Sequence, residues 1–211
     1  MADEQRKLRH LFSPITIKTM ELKNRIVMPA MGTCFANLDN TISERQTDYY
    51  EARAKGGVGL VIVEISEVHP SSVLPTLVGI YDDKFIPGLR TLVDRIHAAG
   101  ARIAIQLHHP GRQFTSLDPK KPPWAPSAIP CPCPLSHDMP HVMTIAEIRE
   151  VVDAFAEGAR RAKEAGFDAV EVHGGHGYLV AQFMSAYSNR RTDRYGGCLL
   201  YTSPSPRDRT R

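Results

Sequence analysis

The chain has 211 residues, 42% of them hydrophobic and 23% charged, with a formal net charge of +3 at pH 7. That balance excludes a disordered or fibrous chain, and Lys and Arg are scattered rather than massed, which gives no electrostatic reason to expect a nucleic-acid partner. Cysteines at 34, 131, 133 and 198 have neither zinc-site spacing nor the density of a secreted disulfide framework, and no apolar run approaches ~18 residues, so a cytoplasmic, non-membrane protein acting on small molecules is expected.

After a polar start, residues 13–31 (SPITIKTMELKNRIVMPAM) alternate apolar and polar side chains and then turn continuously apolar from Ile26 to Ala30. This predicts a small hairpin followed by a buried first strand. In SERQTDYYEARAKGG, Ser43 precedes Gln46 by three residues, a capping box in which each side chain satisfies the other's backbone N–H, and Gly56 and Gly57 close the helix. VGLVIVE is apolar on both alternating faces, as in a strand covered on both sides. The cycle repeats: Ile86, Leu89, Leu92, Val93 and Ile96 form one helical face, Pro87 is tolerated in the first turn, Gly100 is the stop, and ARIAIQL is the next strand. Residues 118–141 carry eight prolines and predict a long loop, neither helix nor central sheet, of the kind that is functional or mobile inside a compact domain. Thr144 with Glu147 repeats the capping box, and Ile148, Val151, Val152, Phe155 and Ala159 form the buried stripe. Gly166 ends that helix before the buried strand FDAVEV and a further helix.

Alternation of this kind implies parallel strands joined by right-handed crossovers, in an open doubly wound sheet or a TIM barrel. The turn PAMGTCFANLDN after the first strand lacks the G-x-G-x-x-G of a dinucleotide-binding sheet. Polar residues instead crowd the C-terminal strand ends, at Met31/Gly32, Glu64, Gln106/His108/His109 and His173/His176/Tyr178, where a barrel keeps its chemistry. The fold expected is α/β: a truncated TIM (β/α)8 barrel with about the first four βα units.

The stretch EVHGGHGYLVAQF, Glu171–Phe183, puts His173 and His176 three residues apart among glycines, with Tyr178 beside them. On the residues alone the alternatives stay open. Two imidazole donors can grip a carbonyl or anionic oxygen while the phenol gives a proton. The pair can also ligate a metal, although no carboxylate or cysteine is placed to complete a zinc set, or both rings can simply bond loop carbonyls.

The ordered motifs LKNRIVMPAMGT, YYEARAKGGVGLVIVE, GIYDDKFIPGL, IAIQLHHPGR, APSAI, DAVEVHGGHGYLVAQFMS and NRRTDRYGG resemble the old yellow enzyme family of FMN-dependent oxidoreductases. The resemblance lies in its NADH:flavin oxidoreductase / 2,4-dienoyl-CoA reductase branch and covers residues 10–197. It implies cofactor-binding roles for Pro29, Ala30, Met31 and Gly32, whose backbone lies along the flavin ring. Ile65 is implied near the isoalloxazine edge, at a position often smaller in relatives, and Gln106 is implied to bond the flavin pyrimidine and ribityl oxygens. His173 and His176 are implied to bind the substrate carbonyl, with Tyr178 as proton donor. The reaction implied carries hydride from NADH or NADPH through FMN to the activated C=C bond of an enone or enoyl-CoA, with no metal. Cys34 lies two residues past the position from which a cysteine tunes the flavin in some relatives, so no such role is expected of it. Cys131 and Cys133 are expected to be solvent-facing loop thiols, and an iron–sulfur cluster only in a C-terminal region beyond this chain. His108 and His109 read equally as pocket-lining and as structural.

After RYGG the resemblance stops. Residues 1–197 read as the N-terminal half of an FMN-dependent barrel domain, and 198–211 (CLLYTSPSPRDRTR), with no helical period and two Ser-Pro steps, as a non-family tail and an assembly artefact. In the family, loops after later strands hold the flavin phosphate. The expectation is therefore an active parent flavoenzyme and a fragment that is itself inactive, binds FMN poorly and pairs with itself through open sheet edges as a homo-oligomer. Two other classes remain: a metal-dependent TIM-barrel lyase or hydrolase using His173 and His176, and a non-catalytic self-associating fragment.

Overall fold

The computed structural model describes residues 8–114, 120–132, 136 and 138–197. Cys133 and the tail from Cys198 onward lie outside the described residues. The chain divides into two compact units. A sheet unit comprises residues 1–68, 73–108 and 154–172, and a loop unit comprises 69–72, 109–153 and 173–211.

In the sheet unit, β1 (Ile15–Ile17) and β2 (Met20–Leu22) form the expected antiparallel hairpin. Four strands then lie parallel in the order β3 (Val27–Met28), β4 (Leu60–Glu67), β6 (Arg102–His108) and β9 (Ala169–Val172), with β5 (Val78–Gly79) pairing the end of β4. Between them run α1 (Glu44–Lys55), α2 (Ile86–Ala98) and α3 (Ile145–Ala165). One face of the sheet, with Val61, Val63, Ile103, Ile105 and Leu107, packs with Tyr50 of α1, Leu89, Leu92 and Ile96 of α2, and Ala162 of α3. The other face, with Leu60, Ile62 and Ala104, packs with Leu22 in a smaller core. Leu92, Ile96, Ile103 and Ile105 are fully buried, and each such side chain contributes about 1.5–3 kcal/mol relative to exposure.

Three expectations are corrected here. The first strand is shorter and more open than its apolar run implies: β3 has two residues, Val27 is 41% exposed, and β4 is its partner on one side only. β9 is likewise an edge among the described residues, with Val170 and Val172 exposed where a buried strand was expected. The stripe on α3 is narrower than the sequence suggests. Ile148 and Val151 are buried, Phe155 and Ala159 are partly buried, and Val152 is 58% exposed because the buried line continues through Gly158, Ala162 and Ala165.

The two capping boxes also differ. At α3 the box is complete, with Glu147 N–H donating to Thr144 Oγ1 (3.2 Å) and Thr144 N–H to Glu147 Oε2 (2.6 Å). At α1, Ser43 Oγ accepts Gln46 N–H (3.0 Å), but Gln46 Nε2 is spent on Glu64 Oε1 (2.8 Å), so only half of the box forms.

In the loop unit the proline-rich segment supports β7 (Trp124–Ala125) and β8 (His141–Val142), paired with each other in a sheet of their own. Arg191 ties the later NRR segment to it, donating to the carbonyls of Met143 (2.6 Å) and Pro126 (3.1 Å). Cys131 is buried, against the expectation of a solvent-facing thiol. Arg112 Nη1 donates to the carbonyls of Ile129 and Pro130 (3.2 and 3.3 Å) and draws that segment inward. The short helix α4 (Leu179–Met184) follows the HGGHGY stretch. Among the described residues no helix is long and apolar enough to cross a membrane.

Candidate active site

β4 and β6 pair one to one from Leu60–Arg102 to Val63–Ile105 and then slip, so that Ile65 and not Glu64 stands opposite Gln106. Glu64 is the extra residue of a β-bulge, a device that re-aims side chains next to functional sites. Before it, Val61 and Val63 face the helices while Leu60 and Ile62 face the smaller core. After it the parity reverses, and Ile65 joins Gln106 and Glu171 in one row across three strands. Gln106 Nε2 donates to Glu171 Oε1 at 2.5 Å. That bond orients the amide through one of its two N–H groups.

Glu64 itself is fully buried. Its carboxylate accepts from Gln46 Nε2 and, in a short contact, from the backbone N–H of Thr33, while its own N–H donates to Tyr50 Oη (2.9 Å). Burial outweighs these donors and holds the Glu64 carboxyl above the ordinary carboxylate range; burial and the neighbouring Glu64 push the Tyr50 phenol up. Thr33 directly follows Pro29–Gly32, of which Pro29, Met31 and Gly32 are exposed and Ala30 is half-buried. Cys34 is exposed. One row beyond Gln106, His108 Nδ1 meets Glu67 Oε1 at 3.2 Å in a pair withdrawn from solvent, which makes His108 a core residue.

In the loop unit His173, His176 and Tyr178 come together, with ring centres 5.1 Å (His173–His176), 4.9 Å (His173–Tyr178) and 6.4 Å (His176–Tyr178) apart. Protons can be placed by elimination. Gly175 N–H donates to His173 Nδ1 (3.3 Å), so in the neutral ring the proton sits on Nε2, which faces His176 Nδ1 at 3.3 Å. His176 then carries its own proton on Nε2. In that arrangement the His173 proton is engaged by its neighbour and the His176 proton lies on the ring nitrogen away from His173. His109 is an anchor: Nδ1 accepts Gly111 N–H (3.1 Å) and Nε2 lies 3.1 Å from Ser71 Oγ. Ser71 Oγ in turn meets His69 Nδ1 (2.8 Å), and His69 Nε2 meets Glu150 (3.0 Å).

A pocket of about 370 Å³ in the sheet unit, lined in part by Lys23, His97 and Arg102, lies at the opposite, N-terminal ends of β4 and β6. Among the described residues no group of three or more His, Cys, Asp or Glu stands close enough to hold a metal. Sequence reasoning passed over Glu171 and Gln182, which sit inside the same motif as the histidines.

The model of the NADH:flavin oxidoreductase / NADH oxidase family matches residues 10–201. The NADH oxidase of Thermoanaerobacter brockii is 46% identical over 191 residues, covering 89% of this chain and 29% of that protein. The NADPH dehydrogenase of Halalkalibacterium halodurans is 47% identical over 194 residues, covering 90% of this chain and 55% of that protein. The solved old yellow enzyme homologue of Zymomonas mobilis superposes with a TM-score of 0.81 at 30% identity, over 90% of this chain and 55% of its own. The chain thus spans about half the length, or less, of the relatives it matches, and its parallel sheet is the corresponding part of a TIM barrel. With the family model matching most of its length, the chain belongs to the NADH:flavin oxidoreductase / NADH oxidase family.

Proposed function

We propose that the full-length protein carrying this chain is an FMN-dependent ene-reductase that moves hydride from NADH or NADPH to the activated C=C bond of an enone or enoyl-CoA. The observation that carries this reading is the His173–His176–Tyr178 cluster, whose ring centres lie 4.9–6.4 Å apart. It gathers an imidazole N–H and a phenol within the span of one small substrate.

The residues present fit a flavin. Met31 is 56% exposed and a Cβ on Gly32 would meet nothing within 4 Å, so Pro29–Gly32 is an open, largely apolar segment suited to a flat ring. Gln106 adds an oriented amide and Ile65 an apolar neighbour in the same row. These residues would hold FMN, which when bound relays hydride between nicotinamide and alkene. The rest is the work of the chain. His176 Nε2–H stabilises the negative charge that develops on the substrate carbonyl oxygen, and His173 joins it when a carbonyl competes for its proton. Tyr178 gives a proton to the α-carbon. On this reading residues 1–197 are the N-terminal half of the barrel domain, the chain alone is inactive, and any iron–sulfur cluster belongs to a C-terminal region outside it.

The test is to express the protein with a natural continuation after Gly197, record its visible spectrum and follow NADH and NADPH oxidation against a panel of enones and enoyl-CoAs. A yellow protein that releases FMN on denaturation and oxidises nicotinamide only with an acceptor is expected. A colourless protein that refuses FMN would end the proposal.

A further inference from the structure

We propose that Gln182 is a positioning residue of this reaction, its buried amide fixing the backbone that carries His176 and Tyr178. The inference rests on the roles given above to those two residues. Gln182 lies on α4 and is 1% exposed. Its Oε1 accepts the N–H of Arg112 (3.1 Å), and its Nε2 donates to the carbonyls of Pro110 (3.1 Å) and Gly177 (2.7 Å). The carbonyl and both N–H groups of the amide are therefore committed, and it bridges the turn after β6 to the HGGHGY segment. The fit has no slack: Gly111, at φ 62°, would place a Cβ 2.4 Å from Gln182 Oε1.

A second glutamine closes the same segment from another side. Gln113 Nε2 donates to the carbonyl of His176 (2.6 Å), and a Cβ on Gly177 would come within 2.8 Å of that nitrogen. Two consecutive carbonyls, of His176 and Gly177, are thus held by amides from different parts of the loop unit.

The clamp has something to hold. His176 has φ 54°, the left-handed region, where a Cβ crowds the backbone and non-glycine residues are disfavoured. Such a conformation persists where the surroundings over-determine it, and it clusters at functional sites. With the backbone at 176 and 177 pinned, the His176 ring keeps its Nδ1 against His173 and its Nε2–H outward, and Tyr178 follows at the start of α4. A buried amide with every group paired is a rigid part; one with a group unpaired is a costly one.

The experiment uses the full-length holoenzyme with Gln182→Leu, Gln182→Glu and Gln113→Ala. Gln182→Leu is expected to lower kcat about a hundredfold, the size of effect that follows misplacement of reacting groups, with FMN affinity and the KM for nicotinamide within about twofold of wild type. Backbone hydrogen exchange should quicken at residues 175–178 and at Arg112, whose N–H loses its acceptor, and not through the rest of the protein. Gln182→Glu keeps the acceptor for Arg112 and regains a donor only when protonated, so its kcat should rise as pH falls, a profile absent from wild type. Gln113→Ala, at a partly buried side chain, should shift kcat and local exchange in the same direction and guards against a Gln182 variant that fails to fold. An unchanged kcat in Gln182→Leu and Gln113→Ala, or exchange that quickens throughout the protein, overturns the proposal. Should the flavoenzyme reading be the one at fault, the wild type itself will be colourless or inactive, while exchange at residues 175–178 still reports the clamp.

Discussion

Burial keeps the Glu64 carboxyl above the ordinary range even though Thr33 and Gln46 donate to it. A carboxyl whose pKa is higher folded than unfolded binds its proton more tightly in the folded state. Its stabilising effect is therefore complete below the unfolded value and declines as pH rises from there through the raised one. Glu64→Gln is expected to flatten that decline from pH 4.5, the unperturbed value, upward toward neutrality, measured by urea unfolding at stepped pH. Coincident slopes in the two proteins would show that Glu64 is not the group involved. Gly111→Ala tests the Gln182 contact from the other side. A positive φ and a Cβ 2.4 Å from Gln182 Oε1 should cost at least about 1–3 kcal/mol in the same assay. At this scale the sequence was partly readable. Gln106 stood out as a polar side chain ending an apolar strand, and the histidines by their spacing. Glu171 was hidden as the ordinary polar half of an alternating strand, and Gln182 as an ordinary helical glutamine, because nothing local says that an amide or carboxylate faces inward.

Helices α1 and α3 begin with the same three-residue capping pattern, yet only α3 uses both halves of it. The difference lies outside the helix, in the buried Glu64 that takes the Gln46 amide. Thr144→Ala is therefore expected to cost about 1 kcal/mol as a lost cap. Gln46→Ala should cost about 1–3 kcal/mol by leaving a buried carboxylate short of a donor, and its loss should shrink as pH falls through the raised range of Glu64, whereas that of Thr144→Ala, coupled to the lowered Glu147, should change only in more acid solution. Thermal unfolding across pH separates the two. Element types and order were legible because the 3.6 and 2.0 periodicities are strong in α2, α3 and β4. The rotation of the α3 stripe was not, since Val151 and Val152 are equally apolar and only packing distinguishes the buried one from its exposed neighbour.

For the whole chain, alternation of strand and helix was enough to give the parallel sheet, and the motif order was enough to give the family. The division into two units was not legible, because residues 69–72 leave the β4–β5 connection to join the loop unit for reasons of packing rather than spacing. Among the described residues β3 and β9 each have one strand partner, and Val170 and Val172 are exposed on β9. Open strands with apolar flanks template further pairing, so the 211-residue chain should associate with rising concentration in sedimentation velocity. Val172→Lys should shift it toward monomer, and a chain that stays monomeric throughout would remove this account. The slip at Glu64 reaches furthest of all. It works as a half-period phase shift, with one rhythm upstream and its complement downstream. Excising that lone residue would restore an unbroken beat and still leave Ile65 across from Gln106 and Glu67 across from His108, since Ile65 would simply take the next place after Val63. What would vanish is the inward carboxylate alone, and with it the tether that draws the Thr33 backbone and the Gln46 amide to one spot.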